Sequence, residues 1–121
     1  MTTPREPNPG HPITITPNPR NLRVRWNDKV VAETTRALDL KEATYPVVHY
    51  VPREDADMTF FAPTSRSTHC PFKGDASYFT LRDGEASADN AVWSYQAPFP
   101  AVAAIAGHLA FYPDKVTFEE D

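Results

Sequence analysis

The 121-residue sequence has a single cysteine, Cys70, so an internal disulfide and any multi-cysteine zinc site are excluded. Long apolar runs are missing too. The longest weakly polar stretch, Ala101 to Tyr112, contains Gly107 and His108 and falls short of the roughly 20 apolar residues a membrane-spanning helix needs. Positive charge is in short supply: 12 Lys and Arg against 16 Asp and Glu give a formal charge of -4, which leaves no broad cationic surface to drive nucleic-acid binding. Met1 to Gly10 is Pro-rich and polar and lacks the apolar core of a secretory signal, so a cytoplasmic setting is expected. What is present, 40% hydrophobic, 12% aromatic and 23% charged residues, is a globular balance at a length that suits one domain.

Six of the thirteen prolines fall within the first twenty residues, which reads as an extended tail over 1–20 ahead of a single domain over 21–121. Within that tail, Ile13 and Ile15 alternate with Thr14 and Thr16, the pattern of a short edge strand laid against the core. Leu22, Val24 and Trp26 alternate with Arg23 and Arg25, and Asn27-Asp28 supplies a two-residue turn into a second strand. Further strands are expected at Arg36 to Leu40, Pro46 to Val51 and Met58 to Phe61. Ser77 to Leu81, Glu85 to Ala88 and Ala91 to Tyr95 follow around a turn at Asp83-Gly84, and Lys115 to Glu119 comes last. Val102, Ile105, Ala106 and Leu109 fall at helical spacing after Pro98 and Pro100, predicting one short helix near the C-terminus. The expected fold is mainly β, a β-dominated α+β domain curled or sandwiched to hide its strand edges.

The segment His69-Cys70-Pro71-Phe72-Lys73-Gly74-Asp75-Ala76-Ser77-Tyr78 concentrates chemically capable side chains. Together with Val48 to Asp55, Asn90 to Tyr95 and Ala110 to Pro113, it resembles the bacterial domain-of-unknown-function family 427, from about Leu22 to the C-terminus. The resemblance implies a compact β fold similar to the β-tent group and no established activity. That family is also filed as nucleotidyltransferase-like, but this sequence shows no Gly-Ser followed by the spaced Asp pair that metal-dependent nucleotidyl transfer needs. Several β-tent domains carry zinc on paired CxxC motifs, which this sequence lacks.

Several residues are candidates for a site. Tyr50, Trp93 and Tyr95 belong to an aromatic set able to floor a small-molecule pocket, with Arg53, His69 and Lys73 as a polar and basic rim suited to an anionic ligand. Gly74 after Lys73 lets the backbone approach a ligand closely, although Lys-Gly is also ordinary turn chemistry. An enzymatic alternative makes Cys70 a nucleophile, or Lys73 and Glu54 an acid-base pair. Against the first version, Cys70 is of a type often buried, and His69 beside it on a strand points to the opposite face. A third reading is a monomer or homodimer acting as a non-enzymatic interaction module through the tail and an exposed strand edge. The four histidines are scattered without metal-ligand spacing, and no metal or other cofactor is expected.

Overall fold

A computed structural model describes residues 5–121, and ten strands in three antiparallel sheets form the body of the protein. In chain order the strands are β1 (Ile13–Asn18), β2 (Leu22–Trp26), β3 (Lys29–Thr34), β4 (Ala37–Glu42), β5 (Val48–Tyr50), β6 (Phe61–Cys70), β7 (Gly74–Asp83), β8 (Ala86–Tyr95), β9 (Ala110–Phe111) and β10 (Thr117–Glu120). The sheets run β1-β4-β5, β10-β2-β3 and β6-β7-β8-β9. The mainly β expectation holds, with the strands divided among three sheets.

The four-stranded sheet is buried on both faces, because side chains alternate along a strand. On β7, Ala76 and Tyr78 belong to one apolar cluster while Phe79 and Leu81 belong to the other. β9 repeats this with Ala110 and Phe111. The first cluster draws Leu22, Val24 and Val31 from the β10-β2-β3 sheet, and the second draws Leu40 and Tyr50 from the β1-β4-β5 sheet. Each small sheet therefore covers a different face of the large one.

The Asn27-Asp28 turn forms as expected, both residues having positive φ (51° and 62°), the requirement of a two-residue hairpin whose twist matches its strands. Ile13 and Ile15 lie on β1, which pairs antiparallel with β4. Two expectations are corrected. Residues Met58–Phe60 form a single 3-10 turn, begun by Asp57 accepting from the Thr59 amide at 3.1 Å, and the strand starts at Phe61 instead. The helix expected over Ala101 to Leu109 is a six-residue 3-10 segment, Pro100–Ile105, kinked at Val102. Burying Val102 and Ile105 needs only i, i+3 spacing, which a 3-10 turn provides. Gly107 (φ 70°) then turns the chain away, and Leu109 bridges to Val51. Among the described residues no helix is long and apolar enough to cross a membrane.

Candidate functional site

Strand alternation assembles an aromatic chamber on the second face of the large sheet. Trp93 and Tyr95 lie two residues apart on β8 and so share a face, and Tyr78 on β7 stands opposite Trp93 in register. From β5 comes Tyr50, 1% exposed, whose hydroxyl oxygen accepts from Trp93 Nε1 at 3.3 Å. The hairpin between β6 and β7 adds Lys73, 8% exposed. Its amide donates to the Cys70 carbonyl at 3.3 Å and its carbonyl accepts from the Phe99 amide at 3.0 Å. Gly74 follows at φ 112°, a conformation L side chains rarely adopt. Tyr50, Lys73, Trp93 and Tyr95 thus line one inner cavity of about 190 Å³, together with Glu42, Tyr78 and Tyr112.

Glu42, at the end of β4, organises the charge of this chamber. One carboxylate oxygen accepts from the Lys73 ammonium and the other lies 2.8 Å from His11 Nε2. Burial would push this carboxyl up, but the hydrogen bonds and charge of Lys73 and His11 outweigh it and hold the group below its ordinary value of 4.5. His11 is itself held flat on the Phe72 ring, with centroids 3.9 Å apart. The Arg5 amide donates to the Pro71 carbonyl at 2.8 Å, so the segment ahead of β1 lies along the same hairpin that presents Lys73.

The tyrosines differ among themselves. Burial pushes the Tyr50 and Tyr95 hydroxyls well above their ordinary range, with nearby acidic groups adding to it, so both keep their protons at any physiological pH. Tyr112 is pushed up to about 12, first by burial and then by Tyr78. Tyr78 moves the other way. Burial opposes its ionisation, but the hydrogen bonds of Thr68 and Tyr112 and the charge of Arg66, 5.0 Å over its ring, win.

A larger cavity of about 500 Å³ adjoins the chamber and shares Glu42, Tyr45, Pro46, Val48 and Trp93 with it. Its walls come from all three sheets: His49 on β5, Phe111 on β9 and Phe118 on β10. Tyr45 and Val47, 61% and 48% exposed, stand at its rim. His49 is set by two carboxylates, Nδ1 lying 2.5 Å from Asp39 and Nε2 3.1 Å from Glu120.

Of the remaining sequence candidates, Arg53, Glu54 and His69 lie elsewhere. Arg53 is exposed on a 3-10 turn with its guanidinium 5.5 Å over the Phe79 ring. Glu54, on the same turn, pairs with Arg36 at 3.2 Å. The carboxylate that meets Lys73 is Glu42, and Glu54 does not share its site. His69 points outward, 2.7 Å from Asp75 and edge-on to Phe99. Cys70, next along β6, is half-buried against the second apolar cluster. Neither Glu42 nor His11 stood out in the sequence, since an acid ending a strand and a histidine in a Pro-rich segment are ordinary surface types. Among the described residues no group of three or more His, Cys, Asp or Glu is placed to hold a metal ion.

A search of the curated proteins finds no match. The family model described as a domain of unknown function, DUF427, matches residues 14–121. That span runs from β1 through β10 and includes both cavities, and the chain belongs to the DUF427 family.

Proposed function

We propose that the paired cavities bind a small molecule with a flat apolar body. The observation that carries this reading is the adjacency of an apolar chamber of about 500 Å³ to a smaller chamber lined by tyrosines, with Trp93 and Glu42 lining both. A volume of this size, mostly hydrophobic with a few convergent polar groups, is what small-molecule sites have in common. Tyr45 and Val47 are the exposed large apolar residues of the described chain, and both sit at this mouth. The same arrangement supports binding over catalysis. Lys73 is committed to Glu42, Cys70 packs against the core, and Glu54 lies with Arg36.

The body would enter against Trp93, Phe111 and Phe118. Titrating the protein with 2-ethylnaphthalene while recording the two indole N–H signals by NMR tests this. The Trp93 signal is expected to move and the Trp26 signal, from the β2-β3 hairpin, to stay. Trp93→Ala is expected to weaken binding by about tenfold, the equivalent of one well-buried aromatic contact. Equal movement of both indoles, or an unchanged affinity in the variant, would place the probe elsewhere.

A further inference from the structure

A count of hydrogen-bond donors and acceptors in the inner chamber says more about what enters it. Tyr50 accepts from Trp93 Nε1, and among the described residues its own hydroxyl hydrogen meets no acceptor. Tyr95 Oη has no hydrogen-bond partner at all among them, although the residue is 6% exposed. Every sealed side-chain nitrogen or oxygen in the described structure has a partner. The Tyr95 hydroxyl is therefore not sealed and meets open space in the cavity it lines. Both hydroxyls keep their protons and act as donors. Lys73 adds further N–H groups beyond the one given to Glu42, with its ammonium 6.0 Å from the Tyr95 ring centroid.

Most acceptor oxygens on the same walls already meet a donor. Each oxygen of the Glu42 carboxylate already meets one donor, Lys73 or His11, and Tyr78 pairs with both Tyr112 and Thr68. The chamber thus presents unmet donors to its occupant. Charge narrows the choice further. The Lys73 ammonium is already paired with Glu42, so a second carboxylate would lie beside a like charge, whose repulsion offsets part of its attraction to Lys73. A neutral oxygen with two lone pairs matches two hydroxyl donors at no such cost.

Building on the binding role proposed above, we infer that the ligand carries a neutral carbonyl group, as in a ketone, amide or lactone, whose oxygen enters the inner chamber and accepts from Tyr50 and Tyr95. It departs from the anionic ligand expected from Lys73 in the sequence, because that lysine already pairs with Glu42.

Three probes of one shape test it by calorimetry: 2-ethylnaphthalene, 2-acetylnaphthalene and 2-naphthoate. The readout is the affinity of each polar probe divided by that of the hydrocarbon on the same protein. The ketone is expected to exceed the hydrocarbon by about tenfold on the natural protein, the combined yield of two neutral hydrogen bonds. That ratio should shrink in Tyr95→Phe and reach parity in Tyr50→Phe/Tyr95→Phe, neither of which removes a partner from another group except the Trp93 N–H. Parity on the natural protein, or a ratio that survives both substitutions, overturns the carbonyl assignment while leaving the cleft a binding site. A naphthoate that outranks the ketone overturns its neutrality. Failure of all three probes, the hydrocarbon included, overturns the cleft itself and the head-group assignment with it.

Discussion

Phe111→Ala is expected to lower stability by about 4 kcal/mol, the usual cost of removing a fully buried phenyl ring. Phe111 is 2% exposed on β9, opposite Val92 in register. Its ring meets Phe61 of β6 edge-on at 6.0 Å and Phe118 of β10 at 6.4 Å. It therefore anchors the large sheet's aromatic contact with the β10-β2-β3 sheet, within the apolar cluster that joins the two without strand pairing. Urea denaturation followed by Trp fluorescence measures the loss, which corresponds to a fall in melting temperature of about 16 °C for a domain of this size. Phe111→Leu, which keeps most of the volume, should cost no more than about 1.5 kcal/mol. A loss in the alanine variant nearer 1 kcal/mol would mean that the sheets are held together elsewhere.

The parts of the fold legible in the sequence are those settled by neighbours along the chain. Asn27-Asp28 determines its hairpin because two adjacent residues that tolerate positive φ suffice to reverse the chain. Alternation in Leu22 to Trp26 was readable because one face is buried and the other solvated, in the order Leu22, Val24 against Arg23, Arg25. β6 shows the converse. Its middle, Pro63 to Ser67, is mostly exposed and polar on a sheet edge, and a bulge there breaks the register with β7. No local hydrophobic pattern marks a strand whose pairing partner does the ordering. The C-terminal segment misled for a related reason: apolar residues three apart suit an α-helix and a 3-10 turn equally, and the prolines at 98 and 100 shorten what can form.

The site follows the same division. Tyr50, Trp93 and Tyr95 drew notice as aromatics, and parity on β8 alone puts the last two on one face. The same parity separates His69 from Cys70, so once Cys70 faces the core His69 must face out, as it does. Glu42 was hidden because its meaning depends on partners 31 residues away in both directions, His11 and Lys73. A charge is an ordinary surface residue until the fold supplies its counterion.

That counterion gives the second large effect. Lys73→Met is expected to cost about 2 kcal/mol at neutral pH, less than for a fully buried pair because Glu42 and Lys73 keep 13% and 11% of their side-chain surface exposed. The loss comes chiefly from leaving the Glu42 carboxylate in the chamber with His11 alone, so Glu42→Gln added to Lys73→Met should recover most of it. The pH dependence gives an independent check. The Glu42 carboxyl is held below 4.5 in the folded protein, so the stability it contributes is fully present above its unfolded value and is lost as pH falls through the folded one. The natural protein should therefore lose stability on acidification through that window, whereas Lys73→Met, whose Glu42 no longer has its strongest reason to stay ionised, should lose less. Measured by urea denaturation, the gap between the two proteins should be wide at neutral pH and should narrow as the pH falls through the lowered folded value of Glu42. A gap of constant size across that range would mean that Lys73 stabilises through its hydrocarbon stem packed under Tyr95, and that the charge pair contributes little.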